Sequence, residues 1–121
     1  MADIFSSTGI DAGIWVGKDK DHCVVGFMSN LVKYDNVCFV ERGGSGAKGF
    51  RKRTNEETIP LKSEIVHRMI VSKRGDKLIL NIDEKDVTEF PYYEPPIERF
   101  GLYILGKDYG KFKNIVVYKK R

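Results

Sequence analysis

A chain of 121 residues has room for one domain and not two, and an apolar share of 41% beside 31% charged residues excludes the hydrophobicity-poor compositions that stay disordered. The formal charge of +4, from 21 Lys and Arg against 17 Asp and Glu, is too modest by itself to commit the chain to a polyanionic partner. No apolar run approaches the roughly 18 residues of a membrane span, and Met1-Ala2-Asp3-Ile4-Phe5 lacks the basic start and apolar stretch of an export signal, so a soluble chain is expected.

Residues 1–11 show no clear period and read as a lead-in or edge strand, which leaves 12–121 for the folded domain. Gly13 to Gly17 and His22 to Met28 flank the polar turn Lys18-Asp19-Lys20-Asp21 as a hairpin. A third strand, Asn36 to Arg42, ends at the glycine-rich loop 43–49, and short strands are expected around Phe50 to Arg53 and Thr58 to Leu61, with Pro60 marking an edge or a strand end. Glu64 to Lys73 and Lys77 to Ile82 flank the turn at Gly75, and Asp83-Glu84-Lys85-Asp86 turns the chain again into Val87 to Phe90. Pro91, Pro95 and Pro96, with Tyr92 and Tyr93 between them, make a connection that cannot sit in a central ladder. Arg99 to Leu105 and Lys111 to Lys119 then close the domain as a hairpin around Lys107-Asp108-Tyr109-Gly110.

Apolar residues recur at every second position through Met69 and Val71, Leu78, Leu80 and Ile82, Phe100, Leu102 and Ile104, and, three positions after Phe112, at Ile115 and Val117. A period of two means that one face of each strand is buried and the other wet. With turns every eight to twelve residues or so and no helical stripe, the prediction is an all-β, two-sheet antiparallel sandwich. The same pairing logic bears on the cysteines. A hairpin of 22–29 with 36–42 gives partner numbers summing to about 66, so Cys38 falls beside Met28, roughly 16 Å from Cys23. A disulfide needs Cα atoms within about 7 Å, and both cysteines are expected as reduced thiols.

The order of these blocks carries a resemblance. Ala12-Gly13-Ile14-Trp15-Val16, a charged turn and an apolar strand, then His67 to Asp83 across a glycine turn, then Phe100-Gly101-Leu102-Tyr103, and last Phe112-Lys113-Asn114-Ile115-Val116-Val117 resemble the concanavalin A-like (laminin-G-like) jelly-roll superfamily. The match spans 12–119. It departs from the superfamily at Val66, where a Trp usually precedes the His-Arg pair, and at Asp83-Glu84, where Asp-Gly is usual. Members also commonly carry one or two strands ahead of the Ala-Gly-Ile segment. The resemblance implies a jelly roll, a C-terminal or truncated module of a larger protein that is extracellular or periplasmic, and a non-catalytic ligand-binding or accessory role, above all toward carbohydrate, as in glycoside-hydrolase-like proteins. An unpaired long edge strand would also invite homodimerisation through sheet edges.

No motif compels a reaction. Gly44-Ser45-Gly46-Ala47-Lys48-Gly49 fits G-x-G-x-x-G, but the adjoining segment, Phe50 to Asn55, has no helical stripe to face a pyrophosphate. His22 and His67 lack Cys, His or carboxylate neighbours at metal-site spacing, and the glutamates fall in loops and turns rather than as a paired acid and nucleophile. No cofactor, metal or catalytic residue is expected. The remaining candidates form an aromatic and basic binding set: Trp15, Tyr34, Tyr92, Tyr93 and Tyr109 to stack on the flat faces of sugar rings, and Arg42, Arg51 and Arg53 to hold acidic sugars in bidentate contacts. The alternatives are a polyanion or nucleic-acid surface built from Lys48, Arg51, Lys52, Arg53 and the tail Lys119-Lys120-Arg121, and a protein-assembly domain.

Overall fold

The computed structural model describes residues 1–7, 10–19, 22–29, 37–42, 51–53, 64–91, 97–107 and 109–118, with the backbone alone described at 37–42, 51–53, 90 and 91. These residues form ten strands and no helix: β1 (Ala2–Ser6), β2 (Ile10–Asp19), β3 (His22–Ser29), β4 (Val37–Arg42), β5 (Arg51–Arg53), β6 (Val66–Arg74), β7 (Lys77–Ile82), β8 (Lys85–Pro91), β9 (Arg99–Gly106) and β10 (Gly110–Lys113). One sheet has the order β10-β1-β6-β7-β8 and the other β5-β4-β3-β2-β9, and every pairing is antiparallel.

The period of two sorts the side chains as alternation requires. Ala2 and Ile4 from β1, Met69 from β6, and Leu78, Leu80 and Ile82 from β7 face Ile10, Ala12, Ile14 and Val16 from β2 and Val24 and Met28 from β3 in one buried cluster. The sheets approach closely at Gly26, where an added Cβ would stand 3.0 Å from Leu80 Cδ1. Removing this much apolar surface from water, at about 25 cal/mol per Å², is the main force holding the two layers together.

The turns follow their own chemistry. Gly75, at φ 60°, is the first central residue of the two-residue link between β6 and β7, the place where a type II′ turn puts glycine. The link between β7 and β8 has positive φ at both Asp83 (49°) and Glu84 (71°), the type I′ arrangement, here without glycine. Asp83 compensates by accepting the Arg68 N–H at 2.8 Å through Oδ1 and bonding His67 Nδ1 at 2.5 Å through Oδ2. The β3–β4 register also runs as expected, with Met28 opposite Cys38 and Val24 opposite Arg42.

Several expectations give way. The first residues are no lead-in or edge strand, because β1 lies between β10 and β6 and buries Ala2 and Ile4 completely. The closing strands are no hairpin: β9 pairs with β2 in one sheet and β10 with β1 in the other, so the chain changes sheets between Gly106 and Gly110. Ser7 fixes this crossing, donating through its hydroxyl to the Tyr109 carbonyl at 2.8 Å and accepting the Tyr109 N–H at 3.1 Å. The last strand also stops early, at Lys113, ahead of Asn114 at φ 53°. Finally, Phe100, Leu102 and Ile104 remain 48%, 39% and 47% exposed, because β9 is the edge strand of its sheet among the described residues. The expected strand at Thr58 to Leu61 lies outside the described residues.

Candidate functional site

The outward face of the β5-β4-β3-β2-β9 sheet has an uneven relief that comes from where its glycines fall. Register sets residues in rows across the strands. One row runs Gly101, Trp15, Val25, Glu41, Arg51, and the next runs Tyr103, Gly13, Phe27, Phe39, Arg53.

In the first row, the glycine on β9 leaves a recess and the indole of Trp15 occupies it. A Cβ added at Gly101 would lie 1.9 Å from Trp15 Nε1. The ring therefore rests on the β9 backbone, half-buried, with one side covered by the strand beneath it. In the second row, Gly13 is the gap. A Cβ there would lie 2.0 Å from the Gly26 carbonyl oxygen, and the side chains on either side close over it. Phe27 and Tyr103 start two strand spacings apart, about 10 Å, yet their ring centroids meet at 5.2 Å and an interplanar angle of 45°. Phe27 is buried, with Tyr103 and Val25 packed against it.

One row further, Asp11 lies opposite both Ser29 and Leu105. Asp11 is 2% exposed and Ser29 0%, and neither Asp11 Oδ1 nor Ser29 Oγ has a hydrogen-bond partner among the described residues. A buried polar atom without a partner costs roughly 1–3 kcal/mol, and Asn81 Oδ1 and Thr88 Oγ1 on the other sheet are in the same state among the described residues. Asp11 Cα lies about 13 Å along β2 from Trp15. The face thus offers a half-buried indole with a partly exposed tyrosine in the next row, while Asp11 and Ser29 lie buried beneath it.

The sequence candidates divide among several places. Trp15 is on this face, and the register puts positions 51 and 53 in its rows. Position 42 stands in the row of Val24, Val16 and Phe100, on the sheet's other side. Tyr109 belongs to the second sheet: it stacks on Phe5 at 6.0 Å and 18°, with Lys111 Nζ 5.6 Å from its ring centre, so it does not join Trp15. Tyr34, Tyr92 and Tyr93 lie outside the described residues, as do Lys48 and the tail Lys119-Lys120-Arg121. Sequence reading missed Asp11, Ser29 and the roles of Gly13 and Gly101. The signal available for the last two was two glycines inside strand-patterned runs, which often marks close approach by another group.

Among the described residues no three His, Cys, Asp or Glu side chains gather as metal ligands, and no helix is long and apolar enough to cross a membrane. Asp19 accepts both the His22 backbone N–H at 2.9 Å and a bond with its ring Nδ1 at 2.8 Å, which closes the β2–β3 turn.

No family model matches the sequence, and no curated protein matches it. Among solved structures, a tetrameric galectin from Cinachyrella sp. (ball sponge) superposes on 98% of this chain and 88% of its own, with a TM-score of 0.76 and 15% identity. The likeness establishes the fold as the concanavalin A-like jelly roll.

Proposed function

We propose that this chain is a non-catalytic, lectin-like carbohydrate-binding module whose ligand lies across the outward face of the β5-β4-β3-β2-β9 sheet. The observation that carries the reading is Trp15, the sole tryptophan, seated over Gly101 on the outward face, half-buried and outside the core clusters of the described residues. A sugar ring presents a flat C–H face and a rim of hydroxyls, so it needs an aromatic platform with acceptors and donors nearby. Trp15 supplies the first, and Tyr103, partly exposed in the neighbouring row, supplies a hydroxyl for the second. The likeness to a galectin supports the same class of ligand without fixing it, since a fold hosts many functions. Arg51 and Arg53, in the rows of Trp15 and Phe27, suit the face to sugars bearing carboxylates.

The test is a screen of neutral and acidic glycans followed by calorimetry with wild type and Trp15→Ala. Binding should fall by about 2 kcal/mol, or roughly 30-fold, on loss of the indole. For a neutral glycan it should change little with salt. A steep fall in affinity as salt rises would instead favour the polyanion alternative, in which basic side chains release counterions from phosphates. Silence toward every glycan would contradict the reading.

A further inference from the structure

We infer that the β9 edge is a self-association surface, at which a second copy of this chain adds its own β9 antiparallel about a two-fold axis. The inference rests on the strand edges and does not require the carbohydrate reading. Four strands bound the two sheets, and three of them carry features that block a further strand. β5 is three residues long and entirely basic. β10 is four residues long with Lys111 and Lys113. β8 carries Lys85, Asp86 and Glu89, ends in Pro91, and pairs with β7 through an irregularity at Leu80/Asn81. β9 has eight residues, no proline, no charge from Phe100 to Leu105, and continuous pairing with β2. Among the described residues no strand lies beyond it.

Whatever adds to this edge must bring backbone partners and also cover Phe100, Leu102 and Ile104 on the inward side. A second copy brings both. Around a two-fold axis normal to the sheet, directly opposed residues share a face, so a register centred on Leu102 sets Phe100 against the partner's Ile104 and Leu102 against the partner's Leu102. Ile115 and Val117, 47% and 59% exposed, follow β10 on the other layer and add to the exposed apolar surface of the closing segment. They come after β10, whose Gly110 would place a Cβ 3.4 Å from Ile104 Cδ1, and they flank Val116, which exchanges two 2.9 Å hydrogen bonds with Met1.

Charge disfavours the adjacent register. Centring on Tyr103 would oppose Arg99 to the partner's Lys107 at both ends, and like charges directly across a strand pair are destabilising. Centring on Leu102 sets Arg99 against the partner's Leu105 and Lys107 against the partner's Ile97. On the outward face the same register sets Tyr103 beside the partner's Gly101, so the two Trp15 faces become one continuous surface. Such a surface would hold two sites at fixed separation and gain avidity for a repeating ligand.

Sedimentation across the micromolar to millimolar range tests this, using wild type, Leu102→Lys, Leu102→Glu and a mixture of the two variants. Wild type should be in reversible monomer–dimer equilibrium. Each variant, which sets like charges across the axis, should weaken dimerisation by at least about tenfold. The mixture should recover it, because Lys then faces Glu, and that recovery separates a lost interface from a misfolded chain. Wild type that stays monomeric throughout, variants that dimerise like wild type, or a mixture that stays monomeric would each overturn the inference.

Discussion

Asp3 ties three pieces of the chain together with one carboxylate. Arg68 on β6 donates to it through Nε at 2.8 Å and a second guanidinium N–H at 3.2 Å, and Asn114 beyond β10 donates at 2.7 Å. These hydrogen bonds, Arg68 first and Asn114 next, outweigh the opposing effect of burial and hold its carboxyl down to about 2, from an ordinary 3.8. A lowered folded-state value adds stability that is present above the ordinary value and is lost as pH falls through the folded one. Between about pH 4 and about pH 2 the Tm advantage of wild type over Asp3→Asn should therefore shrink toward nothing; an advantage constant down to pH 2 would contradict the assignment. Glu84 presents the opposite case, a side chain at φ 71° where a β-carbon is a burden. Glu84→Gly should raise stability by about 0.5–1 kcal/mol in urea unfolding, the left-handed strain relieved less the entropy that glycine adds to the unfolded chain. A loss of stability would mean that the Glu84 side chain contributes more than its backbone costs.

At the scale of the strand, alternation was legible and partnership was not. Leu78, Leu80 and Ile82 on β7 and Phe100, Leu102 and Ile104 on β9 share one pattern, and sequence alone predicts the same burial for both. The first set lies in an interior strand and is fully enclosed, whereas the second lies on an edge and is half bare. A period of two records that a strand has a greasy side; it does not record whether another layer reaches that side. The same limit explains the missed crossing between Gly106 and Gly110, since consecutive strands that pair and consecutive strands that change sheets look alike in periodicity. The contrast has an energetic consequence. Leu80→Ala should cost about 2–5 kcal/mol in denaturant unfolding, as buried truncations do, and Leu102→Ala in dilute solution under about 1. Similar costs for the two would mean that β9 is covered after all. Gly101 offers a second check at this scale. Gly101→Ala puts a methyl where the Trp15 indole lies, so the ring must lift and its emission should shift toward that of exposed tryptophan, an outcome that unchanged spectra would exclude.

For the whole molecule, the sandwich and its β3–β4 register could be read in advance because turns, alternation and strand lengths agreed with one another. The candidate site was less legible. Trp15 was found by residue type, yet nothing in the sequence said that it lies over a glycine two strands' width from Val25. Asp11 looks like any polar residue in a half-wet strand until its burial is known. Sites of this kind depend on rows across strands, and rows exist only once the register does. The central claim is that this outward face, with its lone indole, takes a hydroxylated ligand. Titrating glycans while following Trp15 emission tests it most directly, because no other tryptophan contributes to the signal. The account predicts a saturable spectral change with at least one glycan, abolished in Gly101→Val; emission that stays constant through saturating concentrations of every neutral and acidic glycan would contradict it.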